Sequence, residues 1–280
     1  MSIFEYDFMQ RALLGALITG LSAPALGIYL VQRRMALIGD GIGHIALTGV
    51  GLGLLTGRAP VLTAVVVAAL GAVAVELVRE RGRASGDIAL ALMFYGGISG
   101  GVFLAALAAN RTNANLTAYL FGSPLTTSGG DLAVMAALGG LVLAVTLLLR
   151  PWLFAICHDE EYARVAGLPV RALNVLLAVT TAVTITVAMR AVGLLLVSAL
   201  MVVPVAAAQL VTRGFRATMH LAMAIGVLAS GLGIGIAGVY DTAPGATIVL
   251  VAIAAFGLLA TTLAVVRVWR RRQTSALIQS

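Results

Sequence analysis

Residues 35–55, MALIGDGIGHIALTGVGLGLL, form an apolar run about as long as a bilayer is thick, and two ionisable side chains, Asp40 and His44, stand inside it. A span of about 20 residues crosses the hydrocarbon core as a helix. An ionised side chain there costs roughly 2.5 to 3.5 kcal/mol even on lenient insertion scales, so such residues mark a function by default. Four residues apart, the carboxylate and the imidazole lie on one helix face, one turn from each other, and can converge on one cation. The blander reading is that Asp40 caps the helix or pairs with Arg33 or Arg34, and that His44 bonds a backbone carbonyl.

The rest of the chain has the same character. Hydrophobic residues make up 61% of the 280 and charged residues 10%, against about 25% charged in a soluble domain. The 32 glycines suit close helix packing in lipid, where small residues let backbones approach. Apolar runs predict nine spans, near 12–31, 35–56, 60–78, 87–109, 132–149, 173–189, 191–212, 217–239 and 245–266, with eight or ten as variants. The runs at 173–189 and 191–212 touch at Arg190 and read as a broken or re-entrant element. The fold class is therefore all-α, a polytopic transmembrane helical bundle, with residues 1–280 forming one domain. The first run follows Asp7 and Arg11 and reads as a retained span rather than a cleaved signal. Residues 110–130 form the longest segment expected outside.

All 18 basic residues are arginine, and the net charge is +7. They fall in short clusters between apolar runs, a pattern of membrane orientation and not of nucleic-acid binding. With the N-terminus outside and the C-terminus cytoplasmic, 14 of the 18 lie inside, and only Arg11, Arg58, Arg111 and Arg190 lie outside. Lysine is absent, so the chain cannot complete a G-x-x-x-x-G-K-[ST] phosphate loop, and ATP hydrolysis would need another subunit. No motif of an enzyme stands out among the three histidines His44, His158 and His220. One cysteine, Cys157, excludes an intrachain disulfide and a cysteine cage, and the cysteine-free spans argue against a soft Cu(I) path.

The polar stretch 150–171, RPWLFAICHDEEYARVAGLPVR, reads as a cytoplasmic docking element. Asp159 and Glu160 mark a helix start, and Glu161, Ala163 and Gly167 reproduce the spacing of the E-A-A-x-x-x-G loop of ABC-importer permeases, with Tyr162 for the first Ala. A short helix with a small-residue face and a terminal glycine can seat in a partner's groove.

Five stretches carry a wider resemblance: DFMQRALLGALITGLSAPALGIYLVQRR (7–34), LIGDGIGHIALTGVGLG (37–53), DEEYARVAGLPV (159–170), AVGLLLVSALMVVPVAAAQL (191–210) and YDTAPGATIVL (240–250). In this order they resemble the ABC-3 type zinc and manganese uptake permeases, which import zinc, manganese or iron(II). The resemblance implies a homodimer in the bacterial inner membrane, two copies of a cytoplasmic ABC ATPase and an extracytoplasmic metal-binding protein. It also implies import as the direction. Asp40 and His44 from each protomer would then ligate the transported metal near the dimer axis. No cofactor is held permanently, and ATP belongs to the partner.

His220, at a depth comparable with the pair, could join the metal path or sit near headgroups beside Arg216. Asp241 is read first as a turn residue. Glu76 and Arg79 are expected as a salt-bridged helix end, and the glycines of 94–101, FYGGISGG, as a packing surface. The alternatives are a permease for metal chelates such as siderophores or haem, and a secondary metal transporter that needs no ATPase.

Overall fold

The apolar runs have to satisfy their backbone groups internally, and they do so as helices. The structure, a computed structural model, describes residues 7–80, 86–109, 119–120, 122 and 129–278. Its helices are α1 (Asp7–Gln32), α2 (Ile38–Thr56), α3 (Pro60–Glu80), α4 (Gly86–Ala109), α5 (Gly129–Leu148), α6 (Arg150–His158), α7 (Glu160–Val165), α8 (Val170–Ala191), α9 (Leu194–Val211), α10 (Phe215–Tyr240) and α11 (Pro244–Ile278). Among the described residues, α1 to α5, α8, α10 and α11 are long and apolar enough to cross a membrane. In α9 the apolar stretch, Leu196–Val211, is shorter. Each of the nine expected spans has its helix. Most of the expected outside segment 110–130 lies beyond the described residues.

α8 and α9 are separate helices, broken at Val192 and Gly193. Gly193 has φ 88°, a left-handed value that a side chain disfavours. The start of α11 covers the break, and a Cβ on Gly245 would meet the Val192 carbonyl oxygen. Thus the turn sequence at 240–245 serves a packing purpose far along the chain.

α1, α2 and α8 are the most enclosed helices, whereas α3, α4, α5 and α11 turn most of their length outward. The outward faces carry large apolar side chains such as Leu70, Leu92, Phe103 and Leu250, the composition a lipid-facing surface requires. The enclosed helices also carry buried polar side chains, and the threonines of α8 are satisfied within their own turns. Along α8, Thr180, Thr181, Thr184 and Thr186 are all buried, and each donates its hydroxyl to the carbonyl four residues earlier, at 2.7 to 2.9 Å. Tyr29, fully buried on α1, donates across to the Thr146 carbonyl of α5 at 2.6 Å.

Helices meet where glycine removes the side chain. α1 crosses α10 at Gly20 and Gly226, whose backbones touch, and α1 meets α9 at Gly27, where a Cβ would strike the Met201 carbonyl oxygen. Because that obstacle is backbone, Gly27→Val is expected to cost at least the ~1–3 kcal/mol usual for overpacking. Gly140, with nothing within 4 Å of a Cβ, is the contrast: Gly140→Ala should hold or gain up to ~1 kcal/mol from helix propensity. Thermal midpoints of the detergent-solubilised protein should fall for the first variant and not for the second.

Candidate functional site

The chain leaves α1 through a tight turn. Arg34 N–H donates to the Val31 carbonyl at 3.0 Å and Met35 N–H to the Leu30 carbonyl at 2.8 Å, the paired bonds of a Schellman helix end. The left-handed position of that motif, usually glycine, is filled by Arg34 at φ 58°, a conformation that costs a non-glycine residue roughly 1–2 kcal/mol. Arg33 is thereby turned inward, and α2 starts four residues after Arg34.

Asp40 lies in the first turn of α2, where the helix dipole favours negative charge. It is half-buried and, with Leu37, Leu90, Ala91, Phe94 and Tyr95, lines a cavity of about 290 Å³ between α2 and α4. One turn on, His44 is buried, 6% exposed, with Phe94 in a T-shaped contact at 4.1 Å between ring centroids. Its Nδ1 is sealed from the surface and has no hydrogen-bond partner among the described residues. Asp40 pairs with neither Arg33 nor Arg34. The sequence spacing thus places one carboxylate on the cavity wall and, one turn on, one imidazole against Phe94, on a helix with no other ionisable side chain.

α4 approaches this helix backbone to backbone. A Cβ on Gly97 would lie 2.5 Å from the His44 carbonyl carbon and 2.6 Å from the Ile45 nitrogen, and one on Gly101 would crowd Leu47 at 2.7 Å. Thr48 fixes the register by donating to the Gly97 carbonyl at 2.7 Å. Gly97, Gly100 and Gly101 therefore form the packing surface expected of FYGGISGG, while Gly96 faces open space.

His220 sits elsewhere. It is exposed in the second turn of α10, a helix packed chiefly on α1, α9 and α11. Among the described residues no three His, Cys, Asp or Glu side chains converge as a metal site. Asp241 is exposed and caps α10 in a left-handed conformation at φ 51°, the turn role expected of it.

At one end of the bundle, α6 and α7 build a second constellation. Asp159 caps α7 by accepting from the Tyr162 N–H at 2.9 Å. Gly167, at φ 81°, ends it with Gly167 N–H to the Arg164 carbonyl at 3.1 Å and Leu168 N–H to the Ala163 carbonyl at 3.0 Å, a second Schellman end, this time with its usual glycine. Ala163 is fully buried, whereas Glu161, Tyr162 and Val165 face outward. The five residues singled out here thus divide into a cap, an inward carboxylate, an outward carboxylate, a small contact and a terminator.

Glu160 is the inward carboxylate. Arg33 donates to it at 2.8 Å and to the Asn174 side-chain oxygen at 2.9 Å. Arg164 reaches it at 3.4 Å and Arg79 at 4.0 Å, and Arg79 itself holds Glu76 at 2.6 Å. The Glu76–Arg79 helix end was legible from spacing. The contacts of Arg33 and Asn174 to Glu160 were not, because they join α1, α7 and α8 across 127 and 14 residues of sequence.

A bundle of apolar helices, with one acid–imidazole pair on an enclosed span and a braced helical segment facing outward at one end, defines a polytopic membrane permease. The chain belongs to the ABC 3 transport family, whose model matches residues 5–263. It is 32% identical over 256 residues to the manganese transport system membrane protein MntC of Halalkalibacterium halodurans, covering 91% of this chain and 87% of that protein. It is 34% identical over 248 residues to the chelated iron transport system membrane protein YfeD of Yersinia pestis, covering 89% and 83%. Among solved structures, a chain of PsaBC from Streptococcus pneumoniae in complex with Fab superposes with a TM-score of 0.83 at 28% identity, covering 92% of each chain.

Two outcomes check this geometry. Arg33→Gln should destabilise by about 1–3 kcal/mol, less than a fully buried pair because Glu160 is a third exposed, while Glu161→Gln should stay within about 0.5 kcal/mol; denaturation of the solubilised protein measures both. Burial pushes the Cys157 thiol up to about 11, with Glu160 adding to the rise and Arg33 opposing it. Alkylation needs the thiolate, so at pH 8 the reaction should run on the order of 100-fold slower than for a free cysteine and accelerate as the pH rises toward 11.

Proposed function

We propose that this chain is the transmembrane permease subunit of an ATP-driven importer of divalent metal, with manganese, zinc and iron(II) as the candidate cargoes. The observation that carries the reading is the Asp40–His44 pair on an enclosed span, beside a cavity bounded by α4. Oxygen and nitrogen donors suit these ions. The similarity to proteins named for manganese and chelated-iron transport supports the same class.

One protomer supplies two of these ligands. Two protomers related by a twofold axis would supply four, so the reading includes a homodimer with the pairs facing each other. His220 takes no part in it as placed. The outward face of α7, with Glu161, Tyr162 and Val165, is the docking surface for a cytoplasmic ABC ATPase, one per protomer, and segment 150–171 of the single permease domain transmits its motion. The partner hydrolyses ATP, since this chain has no lysine for a phosphate loop. An extracytoplasmic metal-binding protein delivers the ion to the opposite side of the bacterial cell membrane, with the N-terminus outside and the C-terminus in the cytoplasm. A chelate permease is the second reading, favoured by the similarity to a chelated-iron protein.

The test is ATP-dependent uptake of radiolabelled manganese and zinc by the complete complex in liposomes. Asp40→Ala and His44→Ala should each reduce uptake at least tenfold while the complex still assembles and hydrolyses ATP. Uptake at the wild-type rate in both variants refutes the metal path. Uptake by the permease alone, driven by an ion gradient, points to a secondary transporter instead.

A further inference from the structure

A ligating histidine usually has its second ring nitrogen hydrogen-bonded to a carboxylate, a carbonyl or water, which fixes the ring and makes it a stronger donor. His44 is held differently. Its Nδ1 is buried and meets no polar partner among the described residues. What touches the ring is Phe94, at 4.1 Å between centroids and 71° between planes, an edge-to-face contact slightly closer than the ~4.5–7 Å usual for aromatic pairs. We propose that Phe94 is a positioning residue for metal transport, setting the orientation of the His44 imidazole by ring contact in place of a hydrogen bond.

Three observations support the assignment independently of any ligand. Phe94 lines the same cavity as Asp40, so one side chain touches His44 and bounds the space that Asp40 faces. Gly97, one turn further along α4, is locked onto the His44 backbone, and Thr48 bonds the Gly97 carbonyl at 2.7 Å, so α4 is fixed relative to α2 at this level. Phe94 is in turn packed by Tyr95 in a T-shaped contact at 5.5 Å. The imidazole is therefore gripped at both backbone and ring by a single helix.

The chemistry of such a grip differs from that of a hydrogen bond. An aromatic edge or face restrains rotation without drawing electron density toward the metal-binding nitrogen. The ring arrives oriented, yet its donor strength is that of an unassisted imidazole. A site that must hand its ion on gains from orientation without added affinity.

The inference rests on His44 being a metal ligand, and the experiment separates the two. Initial rates of manganese uptake by the reconstituted complex are measured across substrate concentration for wild type, Phe94→Leu, Phe94→Tyr and His44→Ala, with recovery of assembled complex for each. Phe94→Leu keeps apolar bulk and removes the ring; its KM should rise on the order of tenfold, the lower end of what loss of a ligand-orienting partner costs. Phe94→Tyr should restore KM to within about twofold. Phe94→Met takes the place of the leucine variant if that variant fails to assemble. A wild-type KM in Phe94→Leu or Phe94→Met, with uptake lost in His44→Ala, overturns the role of Phe94 and leaves the site standing. A raised KM that tyrosine does not rescue also overturns it, since bulk and not the ring would then matter. Wild-type uptake in His44→Ala overturns the site and the positioning role together.

Discussion

The contact of α4 with α2, backbone against backbone, is the constraint on which the polar interior depends. A span carrying an aspartate and a histidine cannot lie against lipid without paying for both, so it must be enclosed. Enclosure by ordinary side chains would push a neighbouring helix too far away to control an imidazole. Glycine at 97 and 101 brings α4 in by the width of a side chain, and Thr48 turns that proximity into a fixed register. Only at that separation can Phe94 reach the His44 ring.

The opposite requirement governs the end of the bundle at Glu160. There polar contacts tie the elements together beside the apolar ones, and one carboxylate does it by serving Arg33, Arg164 and, at longer range, Arg79. Asn174 accepts from a second nitrogen of the Arg33 guanidinium, which lowers the cost of burying it. Sharing one acceptor among several donors costs less conformational entropy per contact than isolated pairs would. It also sets the outward face of α7 at a fixed position relative to the end of α1. From Arg33 the chain needs seven residues to reach Asp40, and the strained turn at Arg34 lies between them. Under the proposed coupling, one ion pair and these seven residues of chain connect the docking face to the acid.

Much of this architecture is written locally. Apolar runs give the nine helices expected of them because each backbone in lipid must close its own hydrogen bonds. The i, i+4 spacing puts Asp40 and His44 on one face, the i, i+3 spacing pairs Glu76 with Arg79, and Gly167 ends its helix where a left-handed residue is needed. What stayed hidden was non-local. Nothing near Arg33 announces Glu160, and the arginine could as well have been assigned to Asp40. Nothing near His44 announces Phe94, since periodicity marks the face of a helix but not which neighbour fills it. The position of His220 in the sequence likewise did not show that it would be exposed on α10. An interruption was legible near Arg190, yet the segment that packs on the break at Val192, the start of α11, lies some 50 residues downstream.

Sparseness is the property that unites these features. A metal site built for retention gathers three or four ligands and supports each with a hydrogen bond. On α2 one protomer offers one carboxylate, which lies at the positive end of a helix dipole, and one imidazole with no polar support at Nδ1 among the described residues. Each feature weakens what a single protomer can hold. Release is the step that tight binding would block, because an ion bound too strongly cannot leave within a turnover. If a second copy supplies the remaining ligands, the site forms and dissolves with the relative position of two protomers, and the affinity of the closed arrangement need not be present in the open one. The scarcity of ligands in one chain then serves as the means of release.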